Sequence, residues 1–350
     1  MKTIFKFSIL TLLIILVTVE HSHAQYTSKK VRTVHQVYTD SLKSVDYNYM
    51  FPILGQGAYS KGFDIPYPVG IMANGIWMDQ GLVIDNMQLG LLTDNQDIPL
   101  TPTDFIEFGD NTNTSYVFTV RPDIWILPFL NVYGLFGYGS SHTEVFLTAP
   151  IELKSVVDQG VQTMGFGIMG AGGVGPVWVQ ADFNFTWNKP ELLEEATRVN
   201  VMGMRMGHTF VFKQKPESNI AVWIGGMSLK MSTETAGQIT LIDALPPETW
   251  ERADEIVADY WTWYDGLHPV SDAGKIRIAD NVLTPIVDRI EAADGDAIIK
   301  YGMDKQTKNR WNGIIGMQYQ LNKKWQFRSE LGIIGDRKSA LLSINYRFLM

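Results

Sequence analysis

The stretch Leu342-Ser343-Ile344-Asn345-Tyr346-Arg347-Phe348 alternates strictly between apolar or aromatic residues and polar ones. Successive side chains of a β-strand point to opposite faces, so this stretch predicts a strand with one apolar and one polar face. A terminal strand of this kind leaves an open edge unless it pairs with the first strand and closes a barrel. The stretch therefore indicates a closed antiparallel barrel whose outside meets lipid.

The same period-two pattern returns along most of the chain. It is clearest at residues 177–187, where the apolar face consists of Val177, Val179, Ala181, Phe183, Phe185 and Trp187. A tilted strand of about that length crosses a bilayer. Further strands are predicted at 116–126 and 324–335, and less regular ones at 70–92, 129–147, 163–171, 199–212, 219–231 and 309–321. We expect about ten strands, or twelve if residues 237–242 and 297–301 form a further hairpin.

The predicted connections alternate between short and long. Those at one end are residues 127–128, 172–176, 213–218 and 322–323. Those at the other end are residues 93–115, 140–162, 188–198 and 232–308, together with a tight turn at 335–338. Short periplasmic turns and long external loops are typical of bacterial barrels. The final strand is therefore expected to end on the periplasmic side.

These features together resemble Gram-negative outer-membrane β-barrel proteins, and segments 123–134 and 325–348 are similar to porin-like barrels of that class. Phe348 resembles the terminal aromatic residue by which such barrels are recognised for insertion, although Leu349 and Met350 follow it. The resemblance implies a location in the cell outer membrane, contact with its lipid and lipopolysaccharide, and contact of the C-terminal strand with the barrel-assembly machinery. A monomer is expected. The resemblance carries over no active site.

Residues 1–24 have the composition of a signal peptide. Two lysines precede an apolar run over residues 7–19, and Ser22 and Ala24 occupy the two small-residue positions of a signal-peptidase site. Residues 25–69 then precede the barrel of residues 70–350. Their last part contains two prolines that cannot join a ladder, so we expect a periplasmic segment or a plug inside the barrel.

Composition argues against several kinds of site. The formal net charge is −8 and no cluster of lysines and arginines is present, which argues against a nucleic-acid partner. The chain contains no cysteine, so no disulfide framework can form. Neither the histidine spacing nor the acidic residues match a metal-ligand pattern, and we expect no metal and no cofactor.

Eight charged residues are predicted to face the barrel interior: Arg121, Asp123, Asp182, Arg205, Lys230, Arg328, Glu330 and Arg347. Several glycines are predicted to face it as well: Gly165, Gly167, Gly203, Gly207, Gly226, Gly316 and Gly332. About eight strands enclose a filled interior and water-filled porins need about sixteen, so this barrel is narrow. Either the charges form a selectivity constriction in a passage, or they neutralise one another inside a filled lumen.

Residues 232–308 interrupt the strand pattern as an external helical insertion. One helix is predicted after Pro246-Pro247, and a shorter one at 285–293. The insertion concentrates aromatic residues in an external cluster of Trp250, Tyr260, Trp261, Trp263 and Tyr264. Either this cluster binds a ligand or partner, or it packs on the barrel rim as a small core and the insertion forms a lid.

The leading functional hypothesis is a narrow channel or carrier for a small solute. The alternative is a structural or surface-interaction barrel with a filled lumen. A third hypothesis is a rim-located membrane hydrolase, because Ser141, His142 and Glu144 are residue types of a catalytic set. Ser141 and His142 are neighbours on a predicted strand and point to opposite faces, so we name no catalytic residue and expect no enzyme.

Overall fold

The computed structural model describes residues 34–174, 176–193, 195–232 and 234–349, so the predicted signal peptide lies outside the described residues. The strands within these ranges are β1 (Val69–Thr93), β2 (Gln96–Pro102), β3 (Glu107–Phe108), β4 (Asn111–Leu127), β5 (Leu130–Ala149), β6 (Leu153–Val174), β7 (Val177–Pro190), β8 (Thr197–Phe212), β9 (Lys215–Met231), β10 (Glu234–Thr240), β11 (Ile298–Thr307), β12 (Trp311–Gln320), β13 (Trp325–Ile334) and β14 (Lys338–Phe348). Ten of them form the wall in the order β1-β4-β5-β6-β7-β8-β9-β12-β13-β14.

Strand β1 closes the wall, because it pairs with β4 on one edge and with β14 on the other. Val69 lies opposite Ile124 in β4 and opposite Phe348 in β14. The alternation along β14 follows the sequence: Ser343, Asn345 and Arg347 are buried, whereas Leu342, Ile344 and Tyr346 are exposed. The prediction of a closed antiparallel barrel of about ten strands is confirmed.

The predicted extra hairpin exists but lies outside the ring. β10 and β11 pair with each other, and β11 pairs with residues 82–92 of β1, beyond the point where β14 ends. β2 pairs with the opposite edge of the same part of β1. The alternative prediction of a twelve-stranded wall is wrong, because β12 pairs directly with β9 and leaves no gap for the hairpin. The hairpin instead extends the barrel at the end with the long connections, which we call the outer end.

Large apolar side chains cover the outside of the wall. Exposed examples on different strands are Ile71, Phe118, Phe136, Phe166, Phe183, Met206, Ile224, Met317, Phe327 and Ile344. Near the opposite end, which we call the inner end, the rings of Trp325 and Tyr346 lie 4.8 Å apart. Contiguous apolar surfaces of this extent are rare on proteins that face water on all sides. The belt is therefore the lipid-facing surface of the barrel.

The segment before β1 lies at the inner end. It contains α1 (Val34–Leu42) and α2 (Gly55–Ser60), and Leu42, Tyr59 and Ile65 form its small core. Asp64 pairs at 3.1 Å with Lys323 in the turn between β12 and β13. The backbone amide of Trp125 donates to the carbonyl of Pro68 at 2.8 Å. These contacts attach the segment to the barrel where its short turns lie.

Helices cover the outer mouth. They are α3 (Leu241–Ala244), α4 (Pro247–Glu251), α5 (Ala253–Asp265), α6 (Ala273–Ile278), a π-helical turn (Ala279–Leu283) and α7 (Thr284–Glu291), and we call residues 241–297 the cap. Tyr260, Val282 and Ile290 of the cap share one buried cluster with Leu89 and Leu91 of β1. The apolar faces of the helices thus lose their water by packing on the extended strands.

No helix in the described part of the chain is long and apolar enough to cross a membrane.

Cysteine introduced at Asp254 is expected to react with a membrane-impermeant thiol reagent on intact cells. Asp254 is exposed on the cap, and the chain has no cysteine of its own. The matched control is cysteine at Lys213, exposed at the inner end, which should react only after the outer membrane is permeabilised. Labelling of the Lys213 variant alone on intact cells would invert the assigned orientation.

Candidate functional site

A chamber of about 600 Å³ occupies the barrel beneath the cap. Its outer part is lined mainly by apolar side chains such as Ile84, Leu89, Val157, Met231 and Ile286. Its inner part is lined by polar and charged ones, among them Asn74, Thr119, Gln180 and Asn184. Pockets of roughly 300–1,000 Å³ with this mixture bind small organic molecules. The chamber can therefore hold a small solute.

The inner part of the chamber ends at a charged layer, formed by Asp182, Arg205, Trp223, Arg328 and Glu330. The Nε and Nη2 atoms of Arg205 donate to the two Glu330 carboxylate oxygens at 2.7 and 2.9 Å, and Arg205 also pairs with Asp182. Arg328 and Trp223 donate to the same Glu330 at 2.8 and 2.9 Å. Four wall strands, β7, β8, β9 and β13, contribute to this layer. Bidentate arginine–carboxylate pairs hold a fixed geometry, so the layer constricts the lumen.

Tyr133 and Arg121 extend this constriction toward β4. The Tyr133 hydroxyl donates to the Asn184 side chain at 2.7 Å, and the Arg121 guanidinium carbon lies 4.1 Å from the centre of the Tyr133 ring. Asn184 in turn donates to Asp182 at 3.2 Å, which links Tyr133 to the charged layer. Arg121 has no carboxylate partner among the ion pairs of the described residues. Arg121 is therefore balanced by an aromatic face rather than by an acid.

Glycines make room for the large side chains of the constriction. A β-carbon at Gly203 would overlap Arg205 and Asp182, one at Gly167 would overlap Tyr133, and one at Gly316 would overlap Trp223. Glycine in a strand interior often marks such a close approach. These predicted interior glycines thus allow side chains to cross the lumen, and they do not widen it.

A second buried ion pair lies closer to the inner end. Arg347 Nη2 and Asp123 Oδ1 are 2.9 Å apart, and Asn131 donates to the same carboxylate at 2.7 Å. Arg347 Nε also donates to the carbonyl of Tyr67 at 2.8 Å. Both charged side chains are less than 5% exposed. This pair ties the C-terminal strand to the segment at the inner mouth.

Lys230 is the one predicted interior charge that the structure places on the outer face. Its neighbours Leu229 and Met231 line the chamber, while Lys230 is exposed. Gly226 also faces outward, toward the exposed Trp311. Both predictions are wrong because the odd-numbered residues of β9, and not the even-numbered ones, face the interior. The aromatic Trp223 accordingly points inward to Glu330 and not to lipid. The other seven predicted charges lie inside the barrel.

Lys305 is a chamber residue that the sequence interpretation missed. It lines the chamber from β11 together with Ile299, Tyr301 and Met303, whereas Lys300 on the same strand points outward to Asp97. Among the described residues Lys305 has no ion-pair partner.

Strand β11 presents charged residues on its outside, so it lies beyond the lipid belt. Burial lowers the pKa of the Lys305 ammonium to about 8. The period-two pattern over residues 299–305 was the available signal.

The residue types of the hydrolase hypothesis do not meet. Asn113 donates to the Ser141 hydroxyl at 2.7 Å inside the barrel. His142 points outward, where its Nδ1 atom lies 2.7 Å from Asp158 and its Nε2 atom 3.6 Å from Glu144. The wall separates nucleophile from base, as strand alternation requires.

The predicted aromatic cluster divides into buried and exposed members. Tyr260 is 1% exposed and its hydroxyl lies 2.7 Å from that of Thr284. Trp250, Trp263 and Tyr264 are partly buried against the same core, and Trp261 is 37% exposed. The Trp263 ring stacks on Phe105 of the β2–β3 connection, with centroids 5.5 Å apart. Most of the cluster thus joins the cap to the barrel rim.

Comparisons with known proteins give matches in solved structures alone. No protein-family model matches the chain, and no curated protein matches it. The chain is similar to the transport unit of the autotransporter AIDA-I from Escherichia coli, with 10% identity, a TM-score of 0.32, and coverage of 91% of this chain and 100% of that one. It is also similar to the translocator domain of the autotransporter NalP from Neisseria meningitidis, with 10% identity, a TM-score of 0.33, and coverage of 83% of this chain and 92% of that one. A third similar structure is the outer membrane protein OprG from Pseudomonas aeruginosa, with 10% identity, a TM-score of 0.30, and coverage of 82% of this chain and 100% of that one.

The architecture itself identifies the class. The wall is closed, antiparallel and even in strand number, with apolar residues outside and polar ones inside. Turns of two to four residues join its strands at the inner end, whereas the two long connections, from β1 to β4 and from β9 to β12, lie at the outer end; the predicted connection 140–162 is instead mostly strand, in β5 and β6. These are the properties of barrels in bacterial outer membranes. The chain is an outer-membrane β-barrel.

Proposed function

We propose that this barrel is a gated channel or carrier for a small solute, and that the cap is its outer gate. The observation that carries the proposal is the chamber, which lies between the cap and the charged layer. A barrel with a purely structural role gains nothing from an interior space, because packed cores leave few voids. A chamber that lies between a cap and a constriction fits a protein that takes in one solute at a time better than an open pore.

The contacts of the cap fit a movable element. The cap packs on the outer strands chiefly through apolar side chains, and the Ser155 hydroxyl of β6 donates to the Ala244 carbonyl at 2.7 Å. Thr240 precedes the cap and Ile298 follows it, and these two residues pair with each other at the end of strands β10 and β11. Both connections of the cap therefore start from one place, which suits a hinge.

The charged layer supplies selectivity in this proposal. Arg121, Arg205 and Arg328 face two carboxylates, so the constriction has an excess of positive charge. Charged rings of this kind favour ions of opposite sign. We propose further that the barrel works as a monomer in contact with outer-membrane lipid, since its wall closes without a second chain.

Locking the cap is expected to abolish transport. Cysteines replacing Ser155 and Ala244 would join β6 to the cap at an existing hydrogen bond, and the chain offers no competing thiol. In planar bilayers the reduced double variant should show intermittent currents, and oxidation should silence it reversibly. Each single-cysteine variant is the control and should not respond to oxidant. Silence of wild type and reduced variant alike would favour the structural or surface-interaction alternative with a closed lumen.

A further inference from the structure

We infer that the outer part of the chamber binds an amphiphile with one acid group, which pairs with Lys305 while its apolar tail lies beneath the cap. The inference rests on the proposed function and deepens it by naming the class of solute. It is carried by the position of Lys305, which has no acidic partner in the described part of the chain and lies in a mainly apolar compartment.

Among the described residues, those that pair with Lys305 or line the chamber beside it are mainly apolar. Lys305 lies opposite Ile84 of β1, and the chamber lining at this end includes Leu82, Met87 and Met303. The acidic residues near it in the pairing pattern, Asp85 and Asp304, occupy alternate positions that point outward, and Asp304 accepts from Asn86 there. An ammonium enclosed by apolar side chains is costly unless an anion accompanies it. A bound acid group would supply that anion.

The chamber as a whole has the charge balance of an anion site. Its charged lining residues are Arg121, Arg205, Arg328 and Lys305 against Asp182 and Glu330. Both carboxylates are engaged by arginines in the charged layer. Among the described residues, two of these positive charges therefore have no acidic partner, Arg121 near the inner end of the chamber and Lys305 near the outer end. Such a field attracts anions and repels cations.

The remaining lining defines the rest of the ligand. Beyond Lys305 the chamber is bounded by aliphatic and aromatic side chains of the strands and the cap, including Leu89, Leu245, Leu283 and Ile286. Contact with hydrocarbon stabilises such a surface in proportion to the apolar area removed from water. A small hydrophilic anion would leave this apolar lining in contact with water. The combination selects an acid with a hydrocarbon tail.

The test is a binding measurement on the whole protein in amphipol, by calorimetry with decanoate, decyl phosphate, decanol and acetate. Decanoate or decyl phosphate should bind, and whichever is tighter identifies the acid group as carboxylate or phosphate. Decanol should bind at least about tenfold more weakly and acetate not measurably. Equal binding of decanol and both acids would overturn the inference, as would absence of binding by both acids.

Lys305→Met should weaken the binding of the preferred acid by about 10- to 100-fold, the usual value of a charge-assisted hydrogen bond. It should leave decanol binding unchanged. The variant removes a partnerless charge from an apolar site, so folding is not expected to suffer. Lys305→Arg should retain binding, and Lys300→Met on the outer face of the same strand is the matched control. Unchanged acid binding by Lys305→Met would refute the assignment.

A pH series separates charge from packing. The ammonium of wild type should lose its proton between about pH 7 and about pH 9.5, and acid binding should weaken over that range. The other titratable groups that face the chamber are Asp182, Glu330, Arg121, Arg205, Arg328, Tyr133, Tyr260 and Tyr301. In Lys305→Arg the guanidinium stays charged, so binding should be flat. A parallel decline in that variant would contradict a role for Lys305.

The outcome for binding is independent of the outcome for gating. No acid binding together with redox-controlled currents in the Ser155→Cys/Ala244→Cys variant would reject this inference and leave the proposed function standing. Acid binding to a barrel that never conducts would reject the proposed gating and leave the ligand class assigned.

Discussion

Replacing Glu330 with alanine is expected to destabilise the barrel by about 3–5 kcal/mol, the range seen when one partner of a buried ion pair is removed. Glu330 accepts from Arg205, Arg328 and Trp223. Without it the Arg205 charge keeps only Asp182, and Arg328 loses its acidic partner in an interior that water reaches poorly. The penalty arises from those stranded charges more than from the lost attraction.

Urea unfolding in lipid vesicles, followed by tryptophan fluorescence and by heat-modifiable migration on gels, would measure this effect. The matched control is Glu144→Ala, whose partner Lys154 lies 2.8 Å away on the exposed outer part of the wall. Exposed pairs contribute about 0–1 kcal/mol, so the control should unfold almost like wild type. A Glu330→Ala barrel as stable as the control would mean that water solvates the layer and that the lumen is open at this level.

Replacing Tyr260 with alanine is expected to release the cap. The side chain is 1% exposed at the centre of the cluster that joins α5 and α7 to β1, and truncating a buried aromatic costs about 3–5 kcal/mol. The loss should fall on local opening of the cap and not on the wall, whose strands are joined by their own ladders. An opening equilibrium shifted by that amount corresponds to about 10²- to 5 × 10³-fold faster amide exchange.

Hydrogen–deuterium exchange would show this as loss of protection in residues 247–291 with unchanged protection in β7 and β14. Trp261→Ala is the matched control, because Trp261 belongs to the same aromatic cluster but is 37% exposed. It should alter exchange little. Equal loss of protection in both variants would show that the cap depends on the whole aromatic surface and has no central anchor. Loss of protection in the wall would contradict separate gating.

The wall of the barrel is largely determined by local sequence. Period-two alternation is a property of neighbouring residues, so Leu342, Ile344 and Tyr346 reveal a lipid-facing side before any pairing is known. The parity of short and long connections then predicts which strand ends share a side. Closure of the barrel follows from the same alternation, since the last alternating stretch needs a partner and β1 provides it, whereas the pairing of β12 with β9 decided that the wall has ten strands and not twelve.

Which side chains face the interior was decided by tertiary structure. Strand alternation separates the residues of a strand into two sets, but it does not by itself say which set faces inward. Trp223 has the chemistry of a lipid-facing residue, yet it turns inward because Glu330, far away in sequence, accepts its hydrogen bond. That contact reversed the predicted faces of Lys230 and Gly226. Likewise Lys305 becomes a chamber residue through the pairing of β11 with the outer part of β1. Local sequence determined that there is a barrel with an apolar outside, whereas long-range pairing decided which charges meet inside it and left Arg121 and Lys305 without acidic partners among the described residues.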